Sequence, residues 1–181
     1  MRKRQTFLTL ALIVLITVPA EGQWGRQMRR HQEPLSWRHV GPQGNRISAV
    51  VCDSNDLNVY YAGACAGGVW KSTDGGTNWE PVFDKQSSQS IGSLAIAPSD
   101  SNQVWAGTGE PFIRSNVLIG DGIYKSTNAG ETWTQMGLEK TGRIGRIIVH
   151  PENPDIVFAA AQGHCYGPQK ERGVYKTTDG G

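Results

Sequence analysis

The sequence predicts an all-β fold, a partial β-propeller of four-stranded antiparallel blades, with about three blades of which the last is incomplete. The first observation is a phrase of similar residues that recurs at 69–79, 123–133 and 174–181. The anchor residues of the three copies, Asp74, Asn128 and Asp179, are separated by 54 and then 51 residues. A repeat of this length with aromatic and glycine punctuation is typical of propeller blades. The second observation is that short strand-like runs follow one another in the same order in every repeat.

Four strands are predicted in each complete repeat, joined as hairpins. The first is a run rich in apolar residues, as expected of a strand buried on both faces, at 46–51, 90–95 and 143–148. A turn-rich segment follows, and then the second strands at 59–63, 103–107 and 156–160. The third strand is the first half of the recurring phrase. The fourth strand is predicted at 79–83 and 133–136, and the third repeat stops before it.

These strands divide the chain into blades at about 41–84, 88–137 and 141–181. Aromatic residues occupy matching places in the second and third strands: Tyr61, Trp105 and Phe158, then Trp70, Tyr124 and Tyr175. Rings at such places fill the space between neighbouring blades, so we expect them in the core. Because propellers normally close with about 4–8 blades, we interpret residues 37–181 as a propeller fragment, the N-terminal part of a longer protein.

The segment before the repeats has the pattern of an export signal. A basic start at Arg2-Lys3-Arg4, an apolar run from Phe7 to Val18 and a small residue at Ala20 are typical of a secretory signal peptide. We therefore predict a signal peptide at 1–20, a flexible lead-in at 21–36, and a secreted or periplasmic protein. The apolar run is short for a membrane span. An uncleaved membrane anchor is the alternative.

Charge and cysteine content argue against several kinds of site. The formal net charge is +2, with no basic face or nucleic-acid motif, so we predict no nucleic-acid partner. Of the three cysteines, Cys52 and Cys65 fall at opposite ends of one predicted hairpin, about 20 Å apart. That distance is too great for a disulfide. No Cys–His cluster has ligand spacing, and we predict no metal and no cofactor.

The recurring phrase has the chemistry of a tight turn. An Asp or Asn side chain accepts hydrogen bonds from backbone N–H groups of its own turn, Gly accepts a positive φ, and Trp closes over the hairpin. We assign a structural role to Ser72, Asp74, Gly76, Trp79, Ser126, Asn128, Gly130, Trp133, Thr177 and Asp179. The acidic positions among them are therefore not a catalytic set.

This phrase resembles the Asp-box, or bacterial neuraminidase repeat, with the pattern Ser-x-Asp-x-Gly-x-Thr-Trp. With the segments at 37–42, 63–72, 107–111, 120–122, 144–146 and 150–151, the chain resembles the sortilin-like Asp-box family. Members of this family are large secreted bacterial proteins, often labelled glycosyl hydrolases. The resemblance covers 37–181 and implies a propeller whose Asp-box turns lie away from the channel. A fold alone does not imply an activity.

The topology predicts which face of the propeller carries function. The recurring turns share a face with the short turns of the first hairpins, whereas the second hairpins lie opposite. Two of these second hairpins swell into insertions at Gly109–Gly122 and Gly163–Gly173. Long loops on a rigid scaffold are the usual place for function. The ligand-binding candidates on this face are Arg46, Arg143, Arg114 and His164.

Two classes of function fit these observations. We favour an exported scaffold that binds a protein, peptide or glycan through its insertion-bearing face. The alternative is a glycoside hydrolase, sialidase-like or β-glucanase-like, whose active site is completed by further blades. That chemistry usually requires two carboxylates, about 5–5.5 or 6.5–9.5 Å apart. Glu110 and Asp121 are the catalytic pair that we nominate, although for this chain by itself we lean against an enzyme.

Overall fold

A computed structural model describes residues 37–42 and 46–181. The predicted signal peptide and lead-in, residues 1–36, lie outside the described residues. The chain divides into two compact units, Met1–Arg38 and His39–Gly181. In the first unit only Trp37 and Arg38 are described, as irregular backbone. In the described part of the chain, no helix has the length and apolar character needed to cross a membrane.

Three antiparallel sheets follow one another along the second unit. The first has the order β1 (Ile47–Cys52), β2 (Tyr60–Ala64), β3 (Val69–Ser72), β4 (Glu80–Pro81). The second has the order β5 (Ile91–Ala97), β6 (Asp100–Thr108), β7 (Ile123–Ser126), β8 (Thr134–Gln135). After a 3₁₀ turn at Glu139–Thr141, the third contains β9 (Ile144–Val149), β10 (Val157–Ala161) and β11 (Gly173–Thr177). The predicted fold, two four-stranded blades and an incomplete third, is confirmed.

The fourth strands are shorter than predicted. In the first blade, only Glu80 and Pro81 pair with β3, followed by one further bond from Val82 N to Val69 O at 2.9 Å. Pairing does not begin earlier because the preceding backbone belongs to the recurring turn, where Asn78 N donates to Asp74 Oδ1 at 2.9 Å. An outermost strand can also hold a proline, since the N–H that proline lacks would face away from the sheet.

Neighbouring blades approach closely at two glycines in the second strands. A Cβ added to Gly63 would lie 2.5 Å from Ile91 Cγ2, and one added to Gly107 would lie 2.4 Å from Ile144 Cγ2. Both isoleucines are completely buried. These glycines have no side chain because the first strand of the next blade occupies that space.

The core lies between the blades. One cluster joins the first two blades around Tyr61, Val69, Phe83 and Leu94, and a second joins the last two around Trp105, Ile147 and Val157. Tyr61, Trp105 and Tyr124 are buried as predicted. Phe158, the counterpart of Tyr61 and Trp105, is 39% exposed because no described blade packs on the far side of the third.

The three cysteines are free. Cys52 pairs with Tyr60 at one end of the β1–β2 hairpin, and Cys65 N donates to Arg46 O at the other end. The predicted separation of these two thiols is confirmed by that register.

Candidate functional site

The recurring turn is built from hydrogen bonds within its own phrase. In the first copy, Asp74 Oδ1 accepts from Thr77 N at 3.0 Å and from Asn78 N at 2.9 Å, while Gly76 N donates to Ser72 Oγ at 2.9 Å. Bonds from the Asn78 backbone and side chain lower the pKa of Asp74 to about 2. Asp74 is therefore occupied in holding the turn.

The second and third copies repeat this arrangement. Thr132 N donates to Asn128 Oδ1 at 2.9 Å, and Gly130 N donates to Ser126 Oγ at 2.8 Å. The third copy uses Thr177, whose Oγ1 accepts from Gly181 N at 3.0 Å. In the first two copies the tryptophan indole also bonds within the turn: Trp79 Nε1 donates to Gly76 O, and Trp133 Nε1 to Gly130 O, each at 3.1 Å.

The recurring turns and the first-hairpin turns lie on one face of the arc. Their backbones are bonded in all three blades: Gly75 N to Asn58 O, Ala129 N to Asn102 O, and Gly180 N to Asp155 O. The insertions start from the opposite ends of the strands. Candidate binding residues are therefore separated from the turn residues by the height of a blade.

Glu110 is the centre of a buried charge cluster at the start of the first insertion. Its side chain is about 1% exposed, and its Oε1 accepts from Arg46 Nη2 at 2.8 Å and also from Arg114 Nε. Its Oε2 accepts from Leu118 N at 3.4 Å. The hydrogen bond from Arg114, with those from Leu118 and Arg46, holds the pKa of Glu110 below its usual value. Two predicted ligand-binding arginines thus meet at a predicted catalytic carboxylate.

Asp121, at the end of the same insertion, belongs to a different network. Its Oδ2 accepts from Tyr124 OH at 2.8 Å and from Ser87 Oγ, and its Oδ1 accepts from Thr108 Oγ1 at 3.2 Å. Burial, together with the neighbouring carboxylate, raises the pKa of Tyr124. Among the described residues, Glu110 and Asp121 share no hydrogen-bond partner, and each carboxylate is satisfied by protein groups. Their catalytic role stays a prediction.

Arg143 is buried beneath the second insertion. Its Nε donates to Gly163 O at 2.6 Å, whereas its Nη1 has no partner among the residues that the structure describes. His164 follows directly, and its backbone is held by Gln169 and Arg172. A Cβ on Gly142 would lie 3.2 Å from the His164 ring, so the imidazole packs on the backbone that leads to Arg143.

A groove of about 350 Å³ separates the two insertions. The first insertion contributes Arg114, Asn116, Val117 and Ile119, and the second contributes His164, Cys165 and Tyr166. The Tyr166 ring is 81% exposed at the edge of this groove. Sequence reasoning named Arg114 and His164 but missed Tyr166 and the apolar residues. An aromatic residue in a glycine-rich insertion was the available signal.

A second, larger space of about 470 Å³ lies along the three inner strands. Its lining comes from 48–52, 92–96 and 145–149. The lining strands are the first strands of the three blades, which a propeller fold arranges around its central axis. Most of the lining side chains are small or aliphatic, with Arg146 as the exception.

Comparisons with known proteins identify the family. Residues 67–181 match the family model Sortilin-Vps10, described as sortilin, neurotensin receptor 3. The match extends over more than half of the chain, so this protein belongs to the sortilin-Vps10 family. The resemblance inferred from the recurring phrase is confirmed.

Several curated relatives are xyloglucanases. Xyloglucanase Xgh74A of Acetivibrio thermocellus is 27% identical over 164 residues, which cover 82% of this chain and 18% of the relative. A xyloglucanase of Hypocrea jecorina is 31% identical over 127 residues, which cover 59% of this chain and 14% of the relative. The chain therefore spans less than a fifth of the length of these two relatives.

Solved structures support the propeller fold. An ancestral GH74 enzyme superposes with a TM-score of 0.61 at 23% identity, over 81% of this chain and 19% of that one. The structure of YCF48 bound to D1 peptide superposes with a TM-score of 0.55 at 18% identity, over 78% of this chain and 40% of that one. At these identities the likeness shows the fold alone.

Proposed function

We propose that this chain forms part of a polysaccharide-binding propeller of the glycoside hydrolase type, and that the groove between its two insertions is one wall of the glycan site. The observation that carries the proposal is this groove, where an exposed aromatic ring lies beside basic and amide side chains. The relatives named as xyloglucanases supply the substrate class, xyloglucan. They favour the hydrolase interpretation over the binding scaffold that we preferred from sequence.

The lining of the groove suits a sugar chain. The apolar face of a pyranose packs against an aromatic ring, and Tyr166 presents such a ring at 81% exposure. Hydroxyl groups of a sugar both donate and accept hydrogen bonds. The side chains of Asn116 and His164, which line the groove, can each act as donor and as acceptor. Arg114 is already bonded to Glu110 and Asn116, so it holds the floor of the groove in place.

Hydrolysis would require a further pair of free carboxylates. The pKa of Glu110 is lowered by its arginine partners, whereas a general acid needs a raised pKa. Asp121 is shared among three hydroxyl donors. We therefore assign glycan binding to this part of the protein and expect the cleavage step to depend on other blades.

A binding module without catalysis is the second candidate. The groove would then hold an extended protein segment, as a propeller can: one superposed structure, YCF48, is bound to a peptide. The groove itself is lined by residues of the two insertions, which belong to no strand, so it offers no strand edge to which a peptide could add a further strand.

A binding titration separates the two candidates. We expect xyloglucan oligosaccharides to bind, and Tyr166→Ala to weaken binding roughly tenfold, the contribution of one stacked ring. Leu57→Ala is the matched control, since Leu57 is 72% exposed on the opposite face. Binding of a peptide pool but of no β-glucan, with loss on Tyr166→Ala, would favour the scaffold. If Tyr166→Ala and Leu57→Ala bind the ligand with equal affinity, the groove is not the binding site under either proposal.

We also propose export by the segment at 1–20, with cleavage near Ala20. N-terminal sequencing of the exported protein checks this directly. A product that begins at Met1 would favour an uncleaved anchor.

A further inference from the structure

The guanidinium group of Arg114 is fixed on two sides and free on the third. Its Nε donates to Glu110 Oε1, and its Nη1 donates to Asn116 Oδ1. Within the part of the chain that the structure describes, the third nitrogen, Nη2, donates no hydrogen bond. The Arg114 side chain is 29% exposed. The first insertion therefore presents a positioned, charged donor to whatever enters the groove between the insertions.

The hydrogen bond between Arg114 and Asn116 also decides which end of the amide faces a ligand. A guanidinium group has donors and no acceptor. The Asn116 oxygen therefore has to face Arg114, and the amino group at Nδ2 turns away from it. Asn116 is exposed, and its Nδ2 finds no acceptor among the described residues. Because both residues line the groove, two free donors lie at neighbouring points of its lining.

The charge of the groove matches these donors. None of the described residues that line it is acidic. The nearby carboxylate, Glu110, has a side chain about 1% exposed and is held by Arg46 and Arg114. Two guanidinium groups against one carboxylate give this cluster a net charge of +1. The wall of the groove therefore favours an acceptor group that is negatively charged.

We infer that the groove takes a sugar that bears a carboxylate, a uronic acid residue of the glycan, with the carboxylate at Arg114 and Asn116 and the ring beside Tyr166. This inference rests on the proposed glycan site and narrows its ligand. A carboxylate only accepts hydrogen bonds, so it can satisfy both donors at once. Hydrogen bonds to an ionised acceptor are also roughly twice as strong as those between neutral groups.

Binding titrations with a matched pair of ligands test this inference. Oligogalacturonate and its methyl ester have the same sugar chain and differ in whether the carboxyl groups are charged. Xyloglucan oligosaccharides are titrated alongside them as a neutral glycan. For the protein encoded by the complete reading frame, we expect the acid to bind at least about tenfold more tightly than the ester, since the ester loses the charge-assisted hydrogen bonds.

Asn116→Asp is the variant that tests the donor pair. Its side chain still accepts the hydrogen bond from Arg114, but a carboxylate oxygen replaces Nδ2 and repels an acidic sugar. We expect the preference for the acid over the ester to disappear. Asn153→Asp is the matched control, because it adds the same charge in a first-hairpin turn on the opposite face. Asn153 is exposed, and its Oδ1 likewise accepts one hydrogen bond, from Asp155 N at 3.0 Å.

Each outcome of the titrations bears on the inference. A preference for the acid that is lost in Asn116→Asp and kept in Asn153→Asp would support it. A preference that both variants keep, or that both lose, would contradict it, because the donor pair would not be its source.

The ligands separate this inference from the proposed function. If xyloglucan oligosaccharides bind and the acid is not preferred to its ester, the inference is wrong and the glycan site stands. If none of the three glycans binds, the proposed function fails and the inference fails with it. Binding of a glutamate-rich peptide that Asn116→Asp weakens would then identify an acidic protein segment as the ligand.

Discussion

At the scale of single residues, local chemistry was predictable and long-range pairing was not. The bonds around Asp74 span at most four residues, so the phrase itself contains everything that forms them. The partners of Glu110 include Arg46, which lies 64 residues earlier. Nothing in the spacing of these residues reveals that contact, because it depends on how the first insertion folds back over the first blade. We could therefore nominate Glu110 and Arg46 separately but not as an ion pair.

Replacing Asp74 with alanine should destabilise the first blade and leave ligand binding unchanged. The substitution removes the acceptor for two backbone N–H groups, a loss comparable to that of a helix N-cap. We expect the melting temperature to fall by about 2–4 °C. Asp84→Ala is the control, because Asp84 is exposed and accepts no hydrogen bond within the described chain. Unchanged melting together with lost glycan binding would show that Asp74 belongs to a ligand site instead.

The same variant has a defined pH dependence. The pKa of Asp74 is about 2 in the folded chain, below the ordinary value of about 3.9. A carboxyl whose pKa is depressed by folding stabilises the fold above its unfolded pKa and loses that contribution as pH falls through its folded pKa. The difference in melting temperature between wild type and Asp74→Ala should therefore be full at pH 6 and shrink between about pH 4 and pH 2. A constant difference over this range would contradict the assignment.

At the scale of strands and blades, the repeat predicted most elements to within one or two residues. The first three strands of each blade coincide with the runs from which the sequence predicted them. The fourth strands were overestimated because Trp79 and Trp133 belong to the turn by their bonding, although they extend an apolar pattern. One recurring contact went unforeseen. The lysine of each phrase lies over the second-strand ring, as in Lys71 over Tyr61 at 5.6 Å, because pairing of the second and third strands aligns them.

Gly63→Ala should weaken the contact between the first two blades. The new Cβ would fall 2.5 Å from Ile91 Cγ2 and 3.1 Å from Ile91 Cβ, so a rotamer change alone does not relieve the clash. Overpacking of this kind costs about 1–3 kcal/mol. Chemical denaturation measures the loss. Gly41→Ala is the control, since its added Cβ meets nothing within 4 Å. Equal free energies of unfolding for Gly63→Ala and Gly41→Ala would contradict this prediction, because the contact between the first two blades would then accommodate the added methyl group without loss of stability.

At the scale of the whole molecule, the first and third blades each expose apolar residues whose counterparts in the other blades are buried in the core. Val50 is 66% exposed, whereas its counterparts Leu94 and Ile147 are almost completely buried. At the far end, Ile148 and Phe158 are 55% and 39% exposed. β11 also has a free edge within the described residues. Repeat periodicity predicted an arc of blades with an incomplete third. It did not reveal which residues would be exposed at the two ends of the arc, because exposure depends on how neighbouring blades pack.

The 181-residue chain by itself should therefore self-associate. Exposed apolar faces and an unpaired strand edge favour association. We expect sedimentation velocity to show a distribution of sizes that shifts upward with concentration. Val50→Lys should reduce it by placing a charge on one face. A single monomeric species with a sharp, reversible unfolding transition would show that the arc is a stable domain alone.

The last prediction concerns catalysis. We expect no hydrolysis of xyloglucan, other β-glucans, sialosides or aryl glycosides by the 181-residue chain. Glu110 is held as a carboxylate by Arg46 and Arg114, and Asp121 is held by three hydroxyl groups, so neither is poised to donate a proton or attack a sugar. Misplacement of a catalytic group by about 1 Å can lower a rate ~10²-fold, and a site lacking one wall loses more. Glu110→Gln and Asp121→Asn are the decisive variants. Turnover by the chain that either substitution abolishes would make these two carboxylates catalytic and would show that this arc is an enzyme on its own.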